Sequence, residues 1–256
     1  MKIFTGILLG SGLLLFAATN AAAVGVEVAV GGWAQGLDGE LSYKSPLIGD
    51  RVDLDREAGY DDEDRYFGRI KLDLPVLPNV YFLATPMEFE GDGNKNVKFK
   101  FGDAEIDANV PFYSKARLDH YDLALYYGVP LTGVASLGTL GIDLGINVRR
   151  LEIDMVVRDK AGLGKEDSVD ETFYVPMGYL SVQLKPTDKL ALEGELRGIA
   201  YSGNHYYDLI ARLKYRFFGP AFGAIGWRYE DLSIDEDDVL ADITISGPFV
   251  EGGLQF

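Results

Sequence analysis

The stretch Gly141–Val148, GIDLGINV, alternates apolar and polar residues without a break. Successive side chains of a β-strand point to opposite faces, so this alternation gives a strand with one apolar and one polar face. The apolar face carries Ile142, Leu144, Ile146 and Val148, and the polar face carries Asp143, Gly145 and Asn147. The pattern predicts a strand with apolar surroundings on one side only.

A second stretch, Tyr207–Phe217 (YDLIARLKYRF), repeats the pattern with a more strongly charged face. Its apolar face carries Leu209, Ala211, Leu213, Tyr215 and Phe217, and its charged face carries Asp208, Arg212, Lys214 and Arg216. So long a charged face is incompatible with a strand buried between two protein layers. It is typical of a transmembrane barrel, in which one strand face meets lipid and the other lines the lumen.

The same alternation indicates ten spanning strands, joined by connections that are alternately short and mostly longer. The strands are predicted at 24–43, 65–74, 80–90, 115–129, 140–157, 171–185, 190–201, 206–217, 221–231 and 240–256. Outer-membrane barrels have short periplasmic turns and longer external loops. We therefore predict an all-β fold, a closed antiparallel up-and-down transmembrane β-barrel of ten strands, with eight or twelve as alternatives.

The N-terminal segment has the features of a secretory signal peptide. Lys2 gives a positive start, Ile7–Ala18 is apolar, and Ala21–Ala23 supplies small residues for cleavage, so residues 1–23 should be removed. Residues 24–256 then form one barrel domain in the cell outer membrane. The chain has no Cys, which excludes a lipidated Cys after the signal, disulfides and thiolate metal sites.

Four features interrupt the ladder. After Arg149-Arg150 and around Pro248 the apolar residues change parity, which a β-bulge or a strand leaving the membrane would explain. Pro86 and Pro176 lie inside predicted strands, where proline removes a ladder hydrogen bond. Within the long connection 91–114, residues 97–101 and 104–110 are predicted to form a small hairpin above the barrel.

The polar faces contribute nine acids and eight bases to the lumen. They are Glu27, Arg69, Lys71, Asp73, Glu88, Asp122, Asp143, Arg149, Glu193, Glu195, Arg197, Asp208, Arg212, Lys214, Arg216, Arg228 and Glu251. Barrels of about eight strands are filled by their own side chains, whereas those of about sixteen enclose a channel. Ten strands favour a lumen filled by salt bridges and water, with a narrow polar conduit as the alternative. The expected function is structural, or a passive narrow pore for small solutes or cations.

The excess negative charge lies in the external connections. The formal net charge is −16, and two dense groups, Asp61–Asp64 and Asp235–Asp238, belong to predicted loops. Carboxylate oxygens suit divalent cations such as Ca²⁺ or Mg²⁺, although solvated acidic loops have the same composition. No metal ligand set and no cofactor are predicted, and the lack of a basic face excludes nucleic acid as a partner.

Two histidines are the candidates for catalysis. His120 follows Asp119, and His205 lies near Ser202 and Asp208, a Ser/His/carboxylate set of the kind that supports acyl transfer. Omptin proteases, also ten-stranded barrels, use an Asp-x-His pair that this chain lacks. The sequence therefore predicts no catalytic residues and no enzyme. The alternatives are a lipid-acting enzyme, or a surface-binding protein that acts through its acidic loops.

The C-terminal stretch FVEGGLQF ends on an aromatic residue, with Gly252, Leu254 and Phe256 on one face. It resembles the last strand of bacterial outer-membrane barrels, which the barrel assembly machinery recognises, although Glu251 stands where Gly is often found. The tail also resembles an uncharacterised outer-membrane protein family with a C-terminal Gly-Gly motif, which implies no activity. The expected partners are this machinery and the outer-membrane lipid and lipopolysaccharide around a monomer.

Overall fold

The computed structural model describes residues 24–43, 50–130, 132, 136–162, 164–236 and 239–256. The predicted signal peptide, residues 1–23, lies outside the described residues, as do Asp237 and Asp238 of the last acidic loop. In the part of the chain that is described, no helix is long and apolar enough to cross a membrane.

Fourteen strands are described. They are β1 Gly25–Tyr43, β2 Val52–Asp53, β3 Glu63–Asp73, β4 Asn79–Thr85, β5 Glu88–Gly93, β6 Phe99–Phe101, β7 Ala104–Ile106, β8 Phe112–Gly128, β9 Leu140–Asp159, β10 Glu166–Thr187, β11 Leu190–Tyr201, β12 Asn204–Phe218, β13 Ala221–Glu236 and β14 Val239–Gln255. All the pairings are antiparallel, and β14 pairs with β1. Because β4 and β5 pair with β8 one after the other, they count as one strand of the barrel wall, which therefore has ten strands. The predicted fold class is confirmed.

Several strands extend further from the membrane than predicted. The connection predicted over 158–170 is mostly strand, because β9 and β10 stay paired from Leu140↔Leu184 to Arg158↔Glu166. The predicted small hairpin is confirmed, since β6 and β7 form a separate two-stranded sheet. The prediction matched β9 except for its last two residues, but it began β10 at 171 because it followed the apolar-out pattern, which reverses beyond the membrane.

The parity change after Arg149 comes from a strand leaving the membrane, not from a bulge. The β8–β9 register runs without a shift from Gly128↔Asp143 to Phe112↔Asp159. Arg149 points inward and is fully buried, and Leu151 and Met155 follow it inward on the same parity. The interior therefore changes from charged to apolar along the axis, while the outer surface changes from apolar to charged.

The same reversal explains the residues around Pro248. Ile243 and Ile245 are buried inside the barrel, whereas Val250 is 61% exposed on the outer face. Pro248 and Pro176 lie on outward-facing, exposed positions of continuous strands, and Pro86 separates β4 from β5. The ring of each proline is exposed and therefore stays out of the inner packing.

An external cap, formed by residues 50–60 and the β6–β7 hairpin, closes the outer end of the described barrel. Backbone hydrogen bonds join the cap to β1, from Leu54 N–H to Gly39 O (2.9 Å) and from Gly102 N–H to Tyr43 O (3.0 Å). Gly39 has a φ of 133°, and a Cβ there would lie 2.0 Å from Asp242 O. Beneath the cap the interior is an apolar core that contains Phe89, Phe99, Phe101, Ile106 and Phe112.

Tyr60 of the cap gives a pH-dependent prediction. Burial raises the pKa of Tyr60 to about 12, against about 10 for an unfolded tyrosine. The neutral phenol therefore contributes stability that is present below pH ~10 and is lost as the pH rises to ~12. Subtracting the alkaline ultraviolet titration of Tyr60→Phe from that of the wild type should leave one tyrosine with a midpoint near 12. A midpoint near 10 would show that the cap leaves this phenol in water.

Candidate functional site

The barrel interior holds two connected ion-pair networks, and the one nearer the periplasm is the lower network. Its members are Glu27, Arg69, Lys71, Glu193, Glu195, Arg212, Lys214 and Glu251. Arg69 makes a two-bonded contact with Glu251, at 2.7 and 3.0 Å, and a third at 2.6 Å with Glu27. Such fork-shaped Arg–carboxylate contacts fix geometry as well as charge. They join β1, β3 and β14 across the seam where the barrel closes.

The central network lies next to it, at the boundary with the apolar core. Its members are Asp122, Arg149, Arg197, Asp208, Arg228 and Glu230, with His120 beside them. Arg149 contacts three carboxylates: Asp122 at 2.9 Å through two bonds, Asp208 at 2.5 Å and Glu230 at 3.2 Å. Arg197 joins the two networks, because it donates to Glu195 at 3.1 Å.

Opposite charges balance within each network. The lower network has four carboxylates and four cations, and the central one has three of each. Burying a charge is costly unless it is paired and hydrogen-bonded. The balance therefore lets the side chains of both networks fill the barrel.

His120 is the most buried candidate for chemistry. Its Nε2 lies 3.0 Å from Arg228 Nη2, a group that only donates, so Nε2 accepts and the ring proton lies on Nδ1, facing Leu118 O at 3.4 Å. His120, Asp122 and Asp208 have ligand atoms within 4.8 Å of one another. Both carboxylates, however, already contact guanidinium groups. Three neighbouring guanidinium groups make this a poor cation site.

The structure places most of the predicted lumen charges in these networks and places four elsewhere. Asp143 keeps the inward parity of β9 but is half-buried outside both networks. Asp73 and Arg216 are exposed at the periplasmic rim, where Arg216 donates to Gln255 at 3.0 Å. Glu88 was predicted to line the lumen, which is wrong: it pairs with Lys115 at 2.8 Å on the outward face of β5. Above the membrane the inner positions are apolar, such as Phe89, so charges face outward.

One member of the central network, Glu230, was missed from the sequence, and His120, considered there only for catalysis, was not assigned to the interior. Both are buried inside the barrel, and Tyr206 donates a hydrogen bond to Glu230 at 2.9 Å. Glu230 continues the inward parity of Arg228, so strict alternation along β13 would have identified it. The predicted strand ended just beyond it, at 231.

The Ser/His/carboxylate set of the sequence does not assemble. Asp208 is fully buried inside the barrel, whereas His205 lies on the outer face with its side chain 30% exposed. Ser202 lies in the tight turn between β11 and β12, with a φ of 53°. His205 instead approaches Asp231 of β13, with its Nε2 3.5 Å from Asp231 Oδ1.

The first acidic loop group extends into water. Asp61, Asp62 and Asp64 are exposed, and Glu63 begins β3. Across the chain as described, these residues do not converge on a common point with other ligand atoms. The predicted divalent cations at the acidic loops therefore stay a prediction.

Solved outer-membrane barrels share this fold. The outer membrane protease OmpT from Escherichia coli matches with a TM-score of 0.51 and 10% identity, over 93% of this chain and 99% of that chain. The translocator domain of the autotransporter NalP from Neisseria meningitidis matches with a TM-score of 0.47 and 11% identity, over 93% and 90%. Ail, the attachment invasion locus protein of Yersinia pestis, matches with a TM-score of 0.35 and 7% identity, over 92% and 100%.

No family model and no curated protein matches the chain. The resemblance to the Gly-Gly family therefore stays a prediction. The chain has the fold of a bacterial outer-membrane β-barrel protein, and this agrees with the predicted location in the outer membrane.

One prediction is corrected by the comparison. The chain was predicted not to be an enzyme, and this prediction is wrong because barrels of this fold include enzymes. The structure that matches with a TM-score of 0.51 is an outer-membrane protease. At 10% identity this likeness concerns the fold alone, so any activity of this chain must be argued from its own residues.

Proposed function

We propose that the barrel is a structural outer-membrane protein that does not conduct solutes and that holds the external cap above the membrane. The observation that carries this proposal is the filled interior. Within the membrane, the charge-balanced networks fill the interior of the barrel. Outside the membrane, the apolar core and the external cap fill it. A conduit would require a continuous path through both.

Small cavities support the same proposal. Three interior cavities have volumes of about 20, 10 and 10 Å³, and a cavity must exceed roughly 10–15 Å³ to hold one water molecule. One lies under the cap, lined by Leu41, Tyr60 and Phe112, and another lies beside Arg69 and Arg228. Arg228, which lines the second cavity, pairs at 2.7 Å with Glu230, which lines the third.

Conductance of single molecules tests the proposal. The folded protein, inserted into a planar lipid bilayer, should show no conductance steps at low or high salt, because side chains fill the path. A known porin in the same bilayer is the positive control. Faster migration of unheated protein on gels would verify that the inserted protein is folded. Discrete cation-selective steps that weaken as salt screens the acidic loops would replace this proposal with the narrow pore.

The outer surface of the last strand fits the proposed assembly partner. Leu254, on the outward face of β14 opposite Val28 of β1, is 45% exposed, and Phe256, directly after β14, is 72% exposed. We propose that the barrel assembly machinery binds the face formed by Gly252, Leu254 and Phe256 before β14 closes on β1. The completed barrel is then a monomer surrounded by outer-membrane lipid and lipopolysaccharide.

A further inference from the structure

We propose that Ser233, His205 and Asp231 form a nucleophile–base–acid set on the lipid-facing outer surface, directed at the acyl esters of outer-leaflet lipids. The three residues are 28 positions apart at most in sequence, and strand pairing brings them together. In the β12–β13 register, His205 lies directly opposite Ser233 and Tyr207 directly opposite Asp231. Directly opposed residues have Cβ atoms about 4.5–5.5 Å apart, so rotation of the Ser233 side chain brings its hydroxyl to the imidazole.

Alternation puts all three side chains on the outside. Their inward neighbours Tyr206 and Glu230 are buried and hydrogen-bonded to each other at 2.9 Å inside the barrel. His205 and Asp231 have side chains 30% and 27% exposed. The set is therefore accessible from the membrane surface, unlike the fully buried His120.

Neighbouring aromatic residues hold the set in position. The His205 ring stacks on Tyr207, with centroids 5.1 Å apart and planes 29° apart. The Tyr229 hydroxyl donates to Asp231 Oδ2 at 3.4 Å, while Asp231 Oδ1 lies 3.5 Å from His205 Nε2. Asp231 therefore contacts one ring nitrogen, which leaves Nδ1 as the nitrogen available to Ser233. A base oriented by a carboxylate, next to a hydroxyl, is the arrangement required for an activated nucleophile.

The depth of the set in the membrane identifies the substrate class. Leu209, Trp227 and Tyr229 directly below it are exposed large apolar residues on the outer face. Tyrosine and tryptophan rings lie at the level of lipid head groups in outer-membrane barrels. Tyr207 lies opposite Asp231 and stacks on His205, so the set lies at the level of this aromatic belt, on the side of the external loops. Acyl esters lie in the same interfacial layer, between the head groups and the hydrocarbon.

The reaction would proceed in two steps, acylation of Ser233 and hydrolysis of the acyl ester. Ser233 Oγ attacks the ester carbonyl carbon while His205 Nδ1 takes the hydroxyl proton and Asp231 stabilises the imidazolium. The C–O bond of the lipid ester then breaks, and the proton passes from His205 to the departing alcohol. Water next attacks the carbonyl of the Ser233 ester and gives a proton to His205. The bond to Ser233 Oγ then breaks, His205 returns the proton to that oxygen, and the fatty acid leaves.

A serine-reactive fluorophosphonate probe tests the assignment on the intact folded barrel. The wild type should become labelled at Ser233, and Ser233→Ala should abolish the label. Since a general base contributes about 10²–10⁴-fold, His205→Ala should lower the labelling rate by that factor. Asp231→Asn should lower it as well. Ser202→Ala, three positions before His205, is the matched control and should label as the wild type does.

Two lipid substrates then distinguish the source of the ester. Fatty acid released from vesicles of phospholipid alone, or only from vesicles containing lipid A, identifies which lipid is cleaved. All variants change outward-facing or turn residues, so gel migration of unheated samples should show that they fold. Equal labelling of wild type and Ser233→Ala, or labelling independent of His205, would overturn the proposal. Release of fatty acid without any conductance would leave the proposed sealed barrel intact.

Discussion

Replacing Arg149 with Ala is expected to lower the free energy of unfolding by about 3–5 kcal/mol, the cost of removing one partner from a buried ion pair. Arg149 is fully buried and contacts Asp122, Asp208 and Glu230. Its loss leaves three carboxylates with only two guanidinium groups close by, in a space that water does not readily enter. Urea titration of the protein in lipid vesicles, followed by tryptophan fluorescence, measures this change.

The neighbouring residue provides the control. Arg150 has the same side chain, but it points outward, with 43% of the side chain exposed, and it pairs with Glu152. Exposed ion pairs contribute about 0–1 kcal/mol, so Arg150→Ala should change stability by that amount at most. Equal losses in the two variants would mean that the networks do not carry the stability of the barrel.

The strand ladder could be predicted because it is a local property. Each spanning strand has one face in lipid, so residues such as Leu144 and Leu209 must be apolar whatever the rest of the chain does. Short turns with Pro, Gly, Asn or Asp then mark the ends on one side. Alternation and turns together are enough to give ten strands and a closed barrel.

The part outside the membrane could not be predicted from the same rule. There the outer face meets water and the inside meets the cap, so the rule reverses at Arg149-Arg150 on β9 and at Pro248 on β14. A rule that looks for apolar residues facing outward stops too early. It therefore ended β13 at 231. Applied to β5, which already lies beyond the boundary, the same rule placed Glu88 inside.

The partners within the site depend on register and could not be predicted either. Alternation indicated that Arg69 and Glu251 point inward, but only the closure of β14 on β1 and β1 on β3 brings them within 3 Å. The same holds on the outer surface. Sequence proximity suggested Ser202 and Asp208 as neighbours of His205, whereas the β12–β13 register provides Ser233 and Asp231.

Replacing Leu144 with Arg should locate the hydrocarbon directly. Leu144 is 53% exposed on the outward face of β9, between Tyr127 and Leu180. A charge near the bilayer midplane costs about 2–4 kcal/mol in a barrel, and the cost falls to roughly 0–1 near the interfaces. Thr172→Arg places the same side chain outward on β10, opposite Glu152 and beyond the apolar band. It should cost less than about 1 kcal/mol in the same vesicle titration. If Thr172→Arg cost as much as Leu144→Arg, the outer rows of β9 and β10 would lie in lipid and the reversal of polarity would not mark the membrane boundary.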